Sequence, residues 1–221
     1  LRTAWGQSGR QPETFDAVTL FSPATGPGGS AAVRPATLGN PDIGPEVSSE
    51  LELGFDAAFL DDRISSEFTY YYQKTKDALT SLPLSPTNGF PGNQPANLGQ
   101  LDTWGYEVAL STRAIDGDDF SLDLGANVSY TMNELKDLGG RQPTSDFREG
   151  FPYPARTSDI IRSAELDQFG QPTNLMCDAG TADMRIGGPT VPCSEIGNEY
   201  ELLLGPTFSP WTWSVDATVT L

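Results

Sequence analysis

The sequence predicts an all-β protein: an antiparallel meander of long strands that is part of an outer-membrane β-barrel, with long extracellular loops. Three observations support this fold class. Apolar and polar side chains alternate along unusually long segments, long loops alternate with short turns, and aromatic residues gather at the loop ends of the strands. Soluble strands usually have about five or six residues, whereas a tilted strand that spans a bilayer needs about 9–11.

The alternation is clearest over residues 50–73, where two arms flank a polar turn at residues 60–63. Successive side chains of a strand point to opposite faces, so these arms predict a hairpin with one apolar and one charged face. The apolar positions are Leu51, Leu53, Phe55, Ala57, Phe59, Ile64, Phe68, Tyr70 and Tyr72, and the acids between them are Glu50, Glu52, Asp56 and Glu67.

The remaining elements follow in order along residues 1–221, which we predict to be one partial barrel segment of about six strands. A strand end at residues 1–6 precedes a long loop, 7–47, and the first hairpin precedes a second loop, 74–100. A second hairpin, 104–130, turns at residues 115–119. A very long loop, 133–210, in which stretches such as Glu199–Leu204 predict small hairpins, leads to a closing strand at 211–221.

Aromatic rings lie next to the long loops, as in the interfacial bands of membrane proteins. The alternative is a soluble β-sandwich, in which aromatic residues fill a core, but a sandwich does not place the rings at one end of every strand. The rings at the loop ends are those of Trp5, Tyr70, Tyr72, Trp104, Tyr106, Tyr130, Trp211 and Trp213.

Composition excludes several functions. The chain of 221 residues has a net charge of −17, which argues against nucleic acid as a partner. It has no histidine, the commonest general base and metal ligand, and no apolar run long enough for a transmembrane helix. A start inside a strand, without an initiator methionine or a leader, indicates a piece of a longer precursor.

Four motifs together resemble the barrel of TonB-dependent outer-membrane receptors. They are Asn-Pro-Asp-Ile-Gly-Pro-Glu at 40–46 before Glu-Leu-Glu-Leu-Gly-Phe at 50–55, Tyr-Tyr-Tyr-Gln-Lys-Thr-Lys-Asp at 70–77, Asn97-Leu98-Gly99 with Gly105-Tyr106-Glu107, and Gly-Gln-Ser-Gly-Arg-Gln-Pro at 6–12. The resemblance covers roughly residues 1–135, and Gly44 stands where the family usually has a basic residue.

This resemblance implies a barrel of about 22 strands with a plug domain and a TonB-box segment. The plug domain is absent from the 221 residues, and the last of them is Leu221 rather than the aromatic residue that is typical at the end of an outer-membrane barrel. We therefore expect the chain to contact the outer-membrane lipid bilayer and the remainder of the barrel and plug, and to couple to TonB only through the missing plug region.

Candidate site residues are few. Cys177 and Cys193 lie in one loop and predict a disulfide. The loop aromatics Phe147, Phe151 and Tyr153 could stack on a sugar or chelate, with packing of the turn as the alternative. We find no catalytic motif, no metal site and no cofactor site, because the acidic residues fit a wet lumen and the acidic turn at 116–119 lacks the later Glu of an EF-hand.

The sequence therefore predicts part of a receptor that transports a large nutrient, such as a siderophore, glycan or peptide, across the outer membrane, and no enzyme. The alternative is a receptor-derived fragment that serves as a β-rich subunit of an extracellular filament. Six strands cannot close a membrane barrel, whose smallest form has about eight, and open edges invite self-association.

Overall fold

The computed structural model describes residues 1–117, 119–144, 147–196 and 201–221, and their regular structure is almost entirely β-strand. Within these ranges, three turns of 3₁₀ helix lie in the connections between strands. The strands are β1 (Arg2–Arg10), β2 (Leu20–Thr25), β3 (Ala31–Thr37), β4 (Glu46–Phe59), β5 (Ile64–Pro83), β6 (Asn93–Asp116), β7 (Ser121–Asp137), β8 (Ala155–Ser158), β9 (Ile161–Leu166), β10 (Pro172–Asp178), β11 (Thr190–Pro192), β12 (Leu202–Pro206) and β13 (Trp211–Thr220).

One six-stranded sheet contains all the long strands in the order β1-β4-β5-β6-β7-β13, with every neighbouring pair antiparallel. The predicted all-β meander is confirmed. Short turns join β4 to β5 and β6 to β7 at one end of the sheet, called the turn end here, and the long connections leave the opposite loop end. Three residues in a left-handed conformation, Leu60, Asp61 and Asp62, form the first turn; Asp118 of the second lies outside the described residues.

The strands extend beyond the predicted loop boundaries. The predicted loop 74–100 is mostly strand, because β5 continues to Pro83 and β6 begins at Asn93. Loop 7–47 likewise loses residues to β1 and β4, and loop 133–210 to β7. In the extensions of β5 and β6 the alternation is interrupted at Asp77, which adopts a left-handed conformation (φ 53°) and has no partner in the β5–β6 register.

The described parts of the long connections contain three small sheets. β2 pairs with β3, β10 lies between β9 and β11, and β8 pairs with β12. The stretch Glu199–Leu204, predicted to add a hairpin, contributes β12 from Leu202 onward, while residues 199 and 200 lie outside the described residues. The described residues of the connection between β7 and β13, which are 138–144, 147–196 and 201–210, therefore form a folded unit, called the loop platform here.

Two small apolar cores lie at the loop end of the sheet. The first joins Ala78, Leu98 and Leu135 of the long strands to Leu138 and Phe147 of the loop platform. The second, inside the platform, consists of Phe151, Met184 and Leu203. Among the described residues, no helix is long and apolar enough to cross a membrane.

Candidate functional site

The outer face of the main sheet is apolar across β4, β5, β6, β7 and β13, since the register aligns the alternating positions into rows. One row runs Phe55–Phe68–Val108–Val128–Trp213, and all five residues are direct cross-strand partners. Apolar residues on this face remain exposed in the isolated chain, for example Phe55 at 41% and Val215 at 69%. A continuous apolar face of this size requires an apolar solvent or a partner.

An aromatic band crosses the outer face two residues nearer the loop end. Tyr70, Tyr106, Tyr130 and Trp211 are cross-strand partners in one row. The Tyr106 and Tyr130 rings stack with centroids 5.3 Å apart, and the Tyr130 and Trp211 centroids lie 4.8 Å apart. This row, with Tyr72 and Trp104 beside it, has the position and chemistry of an interfacial aromatic girdle.

The outer face becomes charged immediately beyond the aromatic band. Lys74, Asp102 and Glu134 are cross-strand partners there, and Lys136 lies 2.7 Å from Glu134. Charged groups are costly in hydrocarbon, so this row marks where the apolar layer ends. The apolar positions from Ile64 to Tyr72 on β5 therefore match the length that a tilted transmembrane strand needs, about 9–11 residues.

The opposite face is polar, and the register gathers on it the acids Glu52, Asp56, Glu67, Glu107, Asp123 and Asp216. Arg2 of β1 donates to Asp56 and to the Thr69 hydroxyl, and Arg113 pairs with Asp123 at 3.2 Å. These pairs are about half exposed and contribute little stability individually. The charged and polar side chains make this face suited to water, and it lies opposite the apolar face of the same strands.

Gly105 of the Gly-Tyr-Glu motif makes room for a ring on the polar face. A Cβ at this position would lie 2.5 Å from the Tyr71 hydroxyl and 2.2 Å from the Tyr130 carbonyl. The Tyr71 hydroxyl passes over Gly105 to hydrogen-bond Thr131, two strands away. An aromatic ring covering a strand glycine fixes the register of its neighbours.

The other motif residues meet at one point at the loop end. The Asn97 amide donates to the carbonyls of Gly44 (2.9 Å) and Asp77 (2.7 Å), and its oxygen accepts the Gly44 N–H (2.8 Å). The Glu46 carboxylate accepts the Leu79 N–H at 2.8 Å, just past the left-handed Asp77. We call this junction of Gly44, Glu46, Asp77 and Asn97 the rim clasp, since it fastens the loop before β4 to β5 and β6.

The loop platform is fastened over the polar face of the sheet. Asn133, on the same face as Ser129 and Thr131, donates to the Tyr153 carbonyl and accepts the Tyr153 N–H, both at 2.7 Å. Leu135 donates to the Phe151 carbonyl and accepts the Gly150 N–H, both at 2.8 Å. Two hydrogen bonds of the Asn133 side chain and two of the Leu135 backbone thus hold residues 150–153 against the loop end of β7.

The three predicted loop aromatics belong to this attachment. Phe147 and Phe151 are only 7% and 2% exposed, one in each apolar core. The Tyr153 ring lies against Phe147 (5.6 Å between centroids), and its hydroxyl bonds Thr80 at 2.8 Å. Packing of the turn accounts for this burial, and in this conformation neither phenylalanine presents an open face for a sugar or chelate.

The predicted disulfide between Cys177 and Cys193 is present, with a Cα–Cα distance of 4.9 Å across 16 residues. It joins the end of β10 to the 3₁₀ turn that follows β11. Cys177 is 4% exposed, so the bond lies inside the platform.

A buried carboxylate beside the disulfide was missed by sequence analysis. Asp178, 1% exposed, accepts the N–H groups of Gly187 (2.8 Å), Gly180 (2.8 Å) and Gly188 (2.9 Å) and pairs with Arg162. The Gly187 N–H, followed by Gly180, Arg162 and Gly188, lowers the pKa of Asp178 to about 2 against the opposing effect of burial. The adjacent Gly187-Gly188 pair was the only sequence signal for this tight turn.

Comparison with known protein families shows to which family this chain belongs. The family described as "TonB dependent receptor-like, beta-barrel" matches residues 1–169. The chain therefore belongs to the TonB-dependent receptors and forms part of their β-barrel. The apolar face is accordingly the face of the barrel that contacts lipid in the outer membrane, and the long connections are its extracellular loops. The barrel is not closed by this chain, whose sheet ends in β1 and β13.

Individual relatives agree with this assignment. The chain is 30% identical over 172 residues to TonB-dependent receptor P3 of Formosa agariphila, covering 74% of this chain and 17% of that protein. It is 29% identical over 149 residues to TonB-dependent receptor SusC of Bacteroides thetaiotaomicron, covering 63% and 15%. The chain thus spans about a sixth of the length of these curated relatives.

Solved structures show the same fold. The structure of the RagAB peptide transporter superposes with a TM-score of 0.79 at 19% identity, over 99% of this chain and 24% of that one. RagAB in its "open-open" state gives a TM-score of 0.66. The family is one of receptors and transporters rather than enzymes.

Proposed function

We propose that this chain is one wall of an outer-membrane receptor that imports a large nutrient, such as a siderophore, glycan or peptide, with energy supplied through TonB. The observation that carries the proposal is the two-faced main sheet. Its outer face is apolar up to an aromatic band, and its inner face is acidic, hydrated and partly covered by the loop platform.

The wall explains what this part of a receptor contributes. Lipid contact holds the barrel in the outer membrane, while the polar inner face lets a hydrated cargo pass without crossing hydrocarbon. The rim clasp and the contacts of Asn133 hold the extracellular loops in place at the mouth. Among the cargo classes, a peptide is the one named for the structural neighbour RagAB, a peptide transporter, and this supports including peptides in the test.

The two edge strands of the main sheet indicate which other parts of the receptor this chain would contact. The outer edges of β1 and β13 would pair with the remaining barrel strands, because unpaired backbone groups cannot face lipid. Coupling to TonB would pass through a plug region that the described residues do not include. Self-association through these edges, in an extracellular filament, remains the alternative.

The experiment is a growth and uptake assay in the source bacterium with the receptor gene deleted. We expect loss of growth on one class of oligomeric nutrient, normal growth on its monomers, and restoration by the wild-type gene only when TonB is present. Normal growth of the deletion strain on peptides, glycans and iron chelates alike would refute the proposal. Light scattering of the purified chain showing long polymers rather than a detergent-solubilised particle would favour the filament.

A further inference from the structure

A small pocket on the loop platform contains two arginines and no ion pair to either of them among the described residues. Arg148 and Arg185 line it together with Glu149, Gly150 and Asp183. The four ion pairs of the described residues involve other cations, those of Arg2, Arg113, Lys136 and Arg162. Glu149 and Asp183 line the same pocket, but among the described residues neither carboxylate forms an ion pair with Arg148 or Arg185.

Arg148 carries the more unusual feature. Its Nε is buried and, in the part of the chain that the structure describes, has no hydrogen-bond acceptor. Buried donors are nearly always satisfied, and an unsatisfied one indicates a missing water, ion or ligand. The neighbouring Glu149 carboxylate is turned to another donor, the Leu138 N–H at 3.2 Å, and does not reach this Nε.

The backbone holds both arginines on fixed turns. Arg148 begins a turn in which its carbonyl accepts the Phe151 N–H, and this turn is bonded to Leu135 of β7. Arg185 ends a second turn, closed by the Met184 N–H to the Thr181 carbonyl and by the Thr181 N–H to the Arg185 carbonyl. The side chains of Phe151 and Met184 pack together in the second apolar core and so connect the two turns.

Arg185 is also held across the pocket. One of its terminal nitrogens donates to the Gly150 carbonyl at 3.3 Å, which leaves its other N–H groups for a ligand. Two planar guanidinium groups on rigid supports suit the paired oxygens of a carboxylate, sulfate or phosphate, and preorganised side chains lose little freedom on binding.

We propose that Arg148 and Arg185 form a binding site for an anionic oxygen group of the transported cargo. The proposal rests on the proposed import function and adds a chemical class to it: a cargo with a carboxylate, as in an acidic peptide or uronic sugar, or with a sulfate or phosphate ester. Because Gly150 and Phe151 of the pocket are hydrogen-bonded to Leu135 of β7, the site lies at the loop end of the sheet, where the cargo would enter.

Hydrogen–deuterium exchange of the full-length receptor in detergent tests this site with sulfate and acetate as probes, against chloride at equal ionic strength. Saturating anion should slow exchange of the 148–151 and 181–185 turns about tenfold, as a ligand at ten times its dissociation constant does. A response to sulfate alone indicates an ester, and a response to acetate alone indicates a carboxylate.

Matched variants complete the test. Arg148→Met and Arg185→Met should abolish the response, Asp183→Asn should strengthen it by removing a competing carboxylate, and Arg156→Met, at an exposed position outside the pocket, should leave it unchanged. If Arg148→Met loosens the turns even in chloride, Arg148→Lys decides, because it keeps the charge but lacks Nε.

Equal exchange in sulfate, acetate and chloride, or an undiminished response in Arg148→Lys and Arg148→Met, would overturn the site. Failure of the site can be told apart from failure of the proposed function. A receptor that imports nutrient without an anion response refutes only the site, whereas an anion response without import refutes the transport proposal.

Discussion

The six-stranded main sheet, called the wall, and the loop platform place their apolar side chains in opposite environments. Large apolar side chains of the wall, such as Leu124 (38% exposed) and Trp213 (73%), face outward, and backbone pairing holds the strands together. The platform instead buries Phe151 and Leu202 almost completely and adds a disulfide and a buried carboxylate. The difference shows that lipid surrounds the apolar side chains of the wall, whereas an extracellular loop in water has to bury its apolar side chains in a core of its own.

A charge in the lipid face should have the largest effect. Val128→Arg, in the middle row of the apolar layer, should cost about 2–4 kcal/mol, the usual penalty for a cation near the midplane of a barrel's lipid face, and should reduce the folded receptor in outer membranes. Asn127→Arg, on the polar face of the same strand, should be tolerated apart from one long hydrogen bond to Ser214 (3.4 Å). Heat-modifiable gel mobility of the full-length receptor measures both, and equal losses would contradict the two-faced wall.

Nitroxide labels sharpen the same distinction without a charge. Labels at Leu122, Leu124 and Val128 should collide with oxygen dissolved in lipid, and labels at Asp123 and Asn127 with a water-soluble relaxant, since the register places them on opposite faces. Apolar-face labels that are shielded from both reagents would indicate a protein-packed face and would favour the filament.

The disulfide should matter next, and only in the platform. Cys177→Ser with Cys193→Ser opens a loop of 16 residues, for which the chain-entropy estimate is about 3 kcal/mol. We expect rapid proteolysis within residues 161–196 and an unchanged barrel band on gels. Loss of the barrel itself would show that wall and platform are more strongly coupled than the comparison implies.

Removing the rim clasp tests the contact zone between the two environments. Asn97→Ala leaves three backbone groups of Gly44 and Asp77 without their partner, at about 1–3 kcal/mol in all if water replaces some of the bonds. Hydrogen exchange of residues 40–46 should accelerate. The exposed Asn93→Ala on the same strand is the control and should change nothing there.

Acid should loosen the platform before the wall. The pKa of Asp178 in the folded chain is about 2, below its ordinary value of 3.8, so its stabilising contribution is complete above about pH 4 and disappears as the pH falls through 2. We expect the 178–188 turn to become protease-sensitive in that window, with the Asp178→Asn variant already sensitive at neutral pH. Equal sensitivity of the two proteins at neutral pH would contradict this role.

Sequence analysis recovered the wall in detail and the platform hardly at all. The faces of Phe55, Phe68 and Val128 and the aromatic ends of the strands followed directly from alternation, and the disulfide from its two cysteines. The loop boundaries were wrong because strands such as β5 continue past Asp77, where the alternation is interrupted. The burial of Phe151 and the role of Asp178 depend on contacts between residues far apart in the chain.

The amino-acid sequence by itself determined the two faces, the thickness of the apolar layer and the membership in a barrel family. It could do so because residues that face lipid are apolar and residues that face water are polar. The two kinds alternate along each strand, so the pattern can be seen in a short stretch of sequence. Only the tertiary structure decided how Asn97 fastens the rim, how Gly187 and Gly188 enclose Asp178, and how Arg148 comes to lie beside Arg185. Above the membrane both faces of a strand meet water, so no local pattern distinguishes them, and long-range contacts fix the structure instead.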